Sequence, residues 1–224
     1  MINTRIVAIS VLGAVLSAPF AYAGDLSRYR EFQLGMDLSA AIKQAKTEPP
    51  EAKLIHQRPA VIQELAWQPQ RLIGPSAETE PVSEVIFSFY NGELFRIVVN
   101  YDRYKTEGLT VEDMIESISA NYGPATRPAA EITFAYNEHE KILARWEDAQ
   151  YSVNLVRSSY GPAFTMVALS RRLDALARPA ITEAIRIEKE EAPQREIERQ
   201  KKQDEDTRMA NDKARLVNKP TFRP

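Results

Sequence analysis

The sequence predicts an α+β protein with two similar units, each a helix followed by an antiparallel β-meander, and then a long charged C-terminal helix or disordered tail. Two glycine-led helical patterns, at Gly35 and Gly108, lie 73 residues apart, and Trp67 and Trp146 lie 79 residues apart. The composition changes after Pro179. A chain of 224 residues is long enough for one or two domains with a buried core.

Residues 1–23 have the layout of a secretory signal peptide. Arg5 gives a basic start, Ile6 to Leu16 is an uncharged apolar run, and Ala21-Tyr22-Ala23 places small residues where signal peptidase reads them. We therefore expect cleavage between Ala23 and Gly24. The apolar run is shorter than the roughly 20 residues of a transmembrane span. We expect no transmembrane anchor after cleavage, and a periplasmic or secreted protein.

The predicted first unit covers residues 24–107. Asp37 stands where a helix N-cap is expected, directly before an amphipathic segment, and Trp67 lies near the end of a short strand pattern. A hairpin follows, with strands Val85 to Tyr90 and Glu93 to Tyr101. The Asn91-Gly92 dipeptide between them accepts the positive φ angles of a tight type I′ turn.

The predicted second unit covers residues 108–178 and repeats this order. Thr110 is the expected N-cap of a helix that reaches Tyr122, and Trp146 ends another short strand pattern. The second hairpin is formed by Tyr151 to Arg157 and Phe164 to Ser170. The correspondence favours an internal duplication, and chance similarity between two α+β stretches is the alternative.

The last segment, residues 179–224, differs in composition from both units. Ile181 to Pro224 contains 11 basic and 10 acidic side chains in 44 residues, with few apolar positions. Helix formers and charge pairs four residues apart favour a helix, but it has no apolar stripe to face a core and no heptads long enough for a coiled coil. This segment is either a solvated, partly disordered tail or a partner-binding extension.

The composition excludes several classes of chemistry. The chain has no Cys, which excludes disulfides and thiol catalysis, and 29 basic against 31 acidic side chains make nucleic acid an unsuitable partner. The two histidines, His56 and His139, are far apart and lack the spacing of metal ligands. No glycine-rich phosphate loop or nucleophile elbow occurs. We predict no catalytic residue, no metal and no cofactor.

The first hairpin is the most informative candidate for binding, because it is apolar on both faces. Simple alternation places Tyr90, Phe95 and Tyr101 on one face, and with Trp67 these aromatic side chains form a candidate binding surface. A sheet that is apolar on both faces must be covered twice or leave a patch for a partner. In the alternative interpretation, the first helix covers one face and the second unit or the tail covers the other.

The repeated pattern resembles the SmpA/OmlA–BLIP-like superfamily over about Phe32 to Arg171. The resemblance is carried by Gly35 and Gly108 before the helices and by Trp67 and Trp146 in the meanders. It implies two α+β units side by side, whose strands form a surface that grips another protein. The chain departs from the lipoprotein members of that group because it has no Cys to carry a lipid anchor.

These observations predict an exported, periplasmic, non-catalytic protein. We expect it to bind another envelope protein or a ligand through a sheet surface or through its charged tail. Abundant carboxylates leave a carboxylate-based hydrolase of the cell envelope as the alternative, and that activity requires a cleft with two acidic side chains. A third hypothesis is an export-linked chaperone that acts through the tail.

Overall fold

The structure, a computed structural model, describes residues 24–46, 52–69, 80–133, 139–157, 164–221 and 223. The predicted signal peptide, residues 1–23, lies outside these ranges. Gly24 is inside them and packs so closely against helix backbone that an added Cβ would lie 1.8 Å from the carbonyl oxygen of Asn121.

The first described segment contains a small hairpin followed by a helix. Strands β1 (Arg28–Tyr29) and β2 (Phe32–Gln33) pair with each other, and helix α1 spans Leu38–Ala45. The predicted N-cap is confirmed, because the Asp37 carboxylate accepts a 2.8 Å hydrogen bond from the Ala40 backbone N–H.

Four antiparallel strands follow α1. They are β3 (Lys53–His56), β4 (Ile62–Trp67), β5 (Val82–Tyr90) and β6 (Glu93–Tyr101). The turn between β5 and β6 is the predicted one, with φ of 48° at Asn91 and 86° at Gly92. Asparagine and glycine tolerate this left-handed backbone better than other residues do, so the dipeptide fixes the position of the hairpin.

The second half begins with helix α2 (Val111–Tyr122), which starts in a capping box formed by Thr110 and Asp113. Four more strands follow: β7 (Glu131–Thr133), β8 (His139–Glu147), β9 (Tyr151–Val156) and β10 (Thr165–Ser170). Strands β3 to β10 form one antiparallel eight-stranded sheet in the order β3-β4-β5-β6-β10-β9-β8-β7, whereas β1 and β2 form a separate two-stranded sheet. The α+β class is confirmed.

Helices α1 and α2 cover one face of this sheet, which we call the inner face. Ala41 and Ala45 of α1 and Met114 and Ile118 of α2 join a single apolar cluster with inward side chains from both halves of the sheet. The largest fully buried side chains of that cluster are Phe32, Phe87, Phe89, Leu65, Leu94, Ile97, Trp146, Leu155, Phe164 and Met166. Most of the hydrophobic stabilisation of the fold therefore comes from this layer.

The opposite, outer face is covered at the first hairpin by the C-terminal helix α3 (Arg171–Asn218). Leu173 and Ala177 pack on Phe95 in a separate apolar cluster. The C-terminal segment is thus a helix, which is one of the two forms expected for it. The helix begins at Arg171, before the expected boundary between residues 178 and 179. Pro179 lies inside the helix because packing on the sheet and the cap at Ser170 hold the chain on both sides of it.

Charged contacts fix the path of α3 across the outer face. Arg96 of β6 donates to Asp174 at 2.7 Å, and both side chains are buried, with exposed fractions of 11% and 7%. At the far edge of the sheet Glu188 bonds His56 of β3 at 2.8 Å, and Glu191 bonds Arg58 at 2.8 Å.

None of the described helices combines the length and apolar character that a membrane span requires.

We predict that Asp174→Ala lowers the free energy of unfolding by about 3 kcal/mol, because it leaves the Arg96 guanidinium buried without its carboxylate. Urea denaturation followed by circular dichroism measures the change. Glu183→Ala, which removes a half-exposed pair with Arg186 on the same helix, is the matched control and should alter stability by less than about 0.5 kcal/mol. Equal effects of the two substitutions would contradict a role for the Arg96–Asp174 pair in docking α3.

Candidate functional site

The four aromatic residues predicted as a binding surface do not lie together. Trp67 and Tyr101 belong to the inner face, whereas Tyr90 and Phe95 belong to the outer face beneath α3. Trp67 is 9% exposed and its ring packs against Phe32 with centroids 5.2 Å apart. Phe95 is 1% exposed. These side chains form core contacts, and no single exposed aromatic surface results.

A β-bulge separates residues that simple alternation places on one face. Ser88 pairs with Arg96, but the next residue, Phe89, pairs with Leu94, so Phe95 is the extra residue of β6. Beyond the bulge the alternation is inverted, and Tyr101 points to the inner face while Phe95 points to the outer one. The alternative interpretation, with a helix on one face and the tail on the other, describes this hairpin.

A cavity of about 470 Å³ lies between the β1–β2 hairpin, the ends of β5 and β6, and helix α2. Its buried lining is apolar apart from one phenol, and its exposed lining is mostly polar. The buried residues are Tyr29, Val82, Ile118 and Met166, Tyr101 and Tyr122 are half-buried, and the exposed residues are Asp25, Arg28, Arg30, Pro81, Ser117 and Asn121. The volume is within the range of small-molecule sites.

The charges around this cavity compensate one another. Arg30 makes a two-pronged pair with Glu80, with N···O distances of 2.6 and 3.1 Å, and its guanidinium lies 5.3 Å from the centre of the Tyr29 ring. At the opening, Arg28 lies 3.8 Å from the carboxylate of Asp25. The cavity therefore presents hydrogen-bonding groups without a net charge.

Three tyrosines give the cavity its chemical character. Burial raises the pKa of Tyr122 to about 12, and burial also raises the pKa of Tyr29 and of Tyr101. The three phenols are therefore neutral at physiological pH. The Tyr122 hydroxyl donates to the Arg28 backbone carbonyl at 2.8 Å, which ties α2 to β1.

The carboxylate in the cavity lining is unsuited to general acid catalysis. Asp25 accepts a hydrogen bond from the Ser27 hydroxyl, and this bond lowers the pKa of its carboxyl group. Across the described ranges, no group of three or more His, Asp or Glu side chains is placed to hold a metal ion. Lined by neutral phenols and by charged groups that pair with one another, the cavity is suited to binding.

The C-terminal part of α3 is a second candidate, and we call residues 192–221 the arm. Every one of them is exposed, and the arm begins directly after Glu191, the last residue of α3 that contacts the sheet edge. Its helical part, residues 192–218, is about 40 Å long at 1.5 Å per residue. Its exposed apolar side chains are Ile197, Met209, Leu216 and Val217.

The cavity could not be predicted from the sequence because its three tyrosines come from distant segments. Tyr29 lies in a hairpin too short to show strand alternation, and Tyr122 is the last residue of α2. Only the fold brings Tyr29, Tyr101 and Tyr122 to one place, and no local spacing connects them. The charge-rich arm, in contrast, was visible in the composition.

Comparison with known proteins places the domain but not its activity. A family model described as the TP0088 domain matches residues 27–168, a range that ends before α3. None of the curated protein sequences matches the chain. A solved structure of a cysteine-rich secretory protein from Staphylococcus aureus subsp. aureus Mu50 is similar with a TM-score of 0.34 and 9% identity, over 66% of this chain and 46% of that one. The chain thus spans less than half of that protein's length.

We predict that the free energy of unfolding falls as the pH rises above about 10, the value of an unfolded tyrosine, and continues to fall up to about 12. In this window the unfolded chain releases phenol protons that the folded chain retains. Urea unfolding at a series of alkaline pH values measures the slope. Tyr122→Phe should make it shallower, and Tyr104→Phe, at a side chain that is 75% exposed, should not. If stability falls equally steeply with pH in the wild-type protein and in both variants, the raised pKa does not belong to Tyr122.

Proposed function

We propose that this chain, which belongs to the TP0088 domain family, is an exported, non-catalytic protein that binds another protein of the cell envelope through its C-terminal arm. The observation that carries the proposal is the complete exposure of residues 192–221 in a helix anchored to the domain just before them. Because this segment contributes nothing to the core of its own domain, we infer that it contacts another molecule.

The sheet surface is the weaker candidate for the same role. Around the first hairpin the inner face is covered by the α1 and α2 layer, and the outer face is covered by α3. Phe95 contacts Leu173 there, so a partner would have to displace α3 and break the buried Arg96–Asp174 pair. The arm requires no such rearrangement.

The arm has the chemistry of a recognition helix that is anchored at its base. The Glu188–His56 and Glu191–Arg58 contacts hold its base to the sheet edge. Within it, Glu196 pairs with Arg199, a local contact that supports a helix in water. Met209 and Leu216, seven residues apart, lie on the same side of the helix and offer an apolar anchor among charges.

We also propose that the domain consists of two duplicated units, residues 24–107 and 108–178, related to the SmpA/OmlA–BLIP-like superfamily. Each half contains a helix followed by four antiparallel strands, and the halves meet through β6 and β10. Gly35 and Gly108 both have positive φ, 91° and 83°, and both precede a helix cap. Trp67 and Trp146 both lie on the second strand of their half.

The carboxylate-hydrolase alternative finds less support. Among the described residues that line the cavity, Asp25 is the single carboxylate. The hydrogen bond from Ser27 lowers the pKa of this carboxyl group from its ordinary value. A hydrolase of this type requires one carboxyl group that keeps its proton near neutral pH.

Export is tested first, by determining the mass of the protein recovered from the periplasm of a Gram-negative host. We expect a chain that begins at Gly24, and Ala23→Leu should block processing because signal peptidase requires a small residue there. Recovery of the full 224-residue chain from the cytoplasm alone would contradict the export proposal.

The arm is tested by site-specific photo-crosslinking in cells. We predict that a crosslinker at Met209 or Leu216 captures a discrete envelope protein, whereas one at Tyr104, an exposed position on the domain, does not. Excess peptide of residues 192–221 should compete with the captured species. The same adduct at all three positions, or no competition by the peptide, would refute binding through the arm.

A second variant separates binding from folding. A chain that ends at Glu191 keeps the contacts of α3 with His56, Arg58 and Arg96. We expect it to unfold at the same urea concentration as the full chain and to lose the partner. If the truncated protein still binds the partner, the binding site lies on the domain and not on the arm.

A further inference from the structure

The cavity beside α2 contains a polar group that the protein leaves without a partner. Tyr29 is 8% exposed and lines the cavity. Within the part of the chain that the structure describes, its hydroxyl makes no hydrogen bond to the protein, and it is not among the side-chain atoms that are shut off from solvent. Because the hydroxyl reaches the open space of the cavity, it is available to donate to a ligand there.

Tyr101 adds a second phenol whose hydroxyl has no strong acceptor among the described residues. Its hydroxyl has the Met166 sulfur as a neighbour at 3.9 Å, and a thioether is only a weak acceptor. Tyr122 differs, because its hydroxyl is satisfied by the Arg28 carbonyl at 2.8 Å. Two of the three phenols that line the cavity thus retain the capacity to donate to a ligand.

The rest of the lining limits the chemistry of that ligand. Val82, Ile118 and Met166 supply a buried apolar wall, which favours a ligand whose inner part is apolar. Arg30 is already engaged by Glu80, and Arg28 lies beside Asp25, so no free charge awaits a counter-ion. An uncharged molecule with one or two acceptor atoms fits these groups best.

We propose that this cavity binds a small, neutral molecule that carries a carbonyl or amide group on an apolar body. The carbonyl oxygen accepts hydrogen bonds from the Tyr29 and Tyr101 hydroxyls, and the body contacts Val82, Ile118 and Met166. The site is separate from the arm and does not depend on the partner proposed above.

The test uses two probes with the same body. N-acetyl-L-leucine amide is neutral and carries amide groups, and N-acetyl-L-leucine has a carboxylate that is ionised at pH 7. We expect saturable binding of the amide, detected by calorimetry or by NMR shifts of cavity residues, and much weaker binding of the acid. Absence of amide binding to the wild-type protein, or tighter binding of the acid, would overturn the proposal.

Phenylalanine variants identify the groups that bind. Tyr29→Phe and Tyr101→Phe should each weaken amide binding about 3- to 10-fold, the effect of one hydrogen bond. Tyr29→Phe should leave the unfolding midpoint nearly unchanged, because the hydroxyl that it removes makes no hydrogen bond to the described part of the protein. Tyr122→Phe, the matched variant whose hydroxyl is satisfied, should lower it.

Tyr104→Phe, at an exposed residue that does not line the cavity, controls for nonspecific effects and should bind as the wild-type protein does. Unchanged affinity in both Tyr29→Phe and Tyr101→Phe would refute the assigned site. So would a stability loss in Tyr29→Phe as large as that in Tyr122→Phe, since it would show that the Tyr29 hydroxyl serves the fold.

Discussion

Both faces of the first hairpin are apolar, and the need to remove both from water shapes the whole molecule. On the inner face, Phe87 and Ile97 are covered within the layer of α1 and α2. On the outer face, Phe95 is covered only when the chain after β10 turns back as α3. Because α3 has to cross the sheet to reach the β3 edge, it leaves the domain there, and the direction of the arm follows from this packing.

Local features were predictable from the sequence where one short segment determines the geometry. The caps at Asp37 and Thr110 and the turn at Asn91-Gly92 depend on residues within three positions of one another, and all three are observed. The bulge at Phe95 was not predictable, because it depends on how β5 and β6 pair and not on the alternation within β6. One extra residue was enough to separate Phe95 from Tyr101.

The candidate sites divide in the same way. The exposure of the arm was foreseeable, since a segment with few apolar residues cannot contribute to a core. The cavity was not foreseeable, because Tyr29, Tyr101 and Tyr122 come from β1, β6 and α2. They become neighbours only when the β1–β2 hairpin packs on the sheet. Trp67, which the sequence singled out for binding, packs on Phe32 and helps hold that hairpin in place.

The position of Pro193 explains how one helix can serve both as core and as arm. A proline inside a helix removes one backbone hydrogen bond and costs about 3 kcal/mol unless packing offsets it. Pro193 comes two residues after Glu191, where the contacts with the sheet end, and the Arg195 guanidinium spans it by donating to the Glu188 carbonyl at 2.8 Å. Upstream of Pro193 the helix is held by burial, and downstream it is held only by local pairs such as Glu196–Arg199. The arm can therefore adapt to a partner without loosening Leu173 and Ala177 from the sheet.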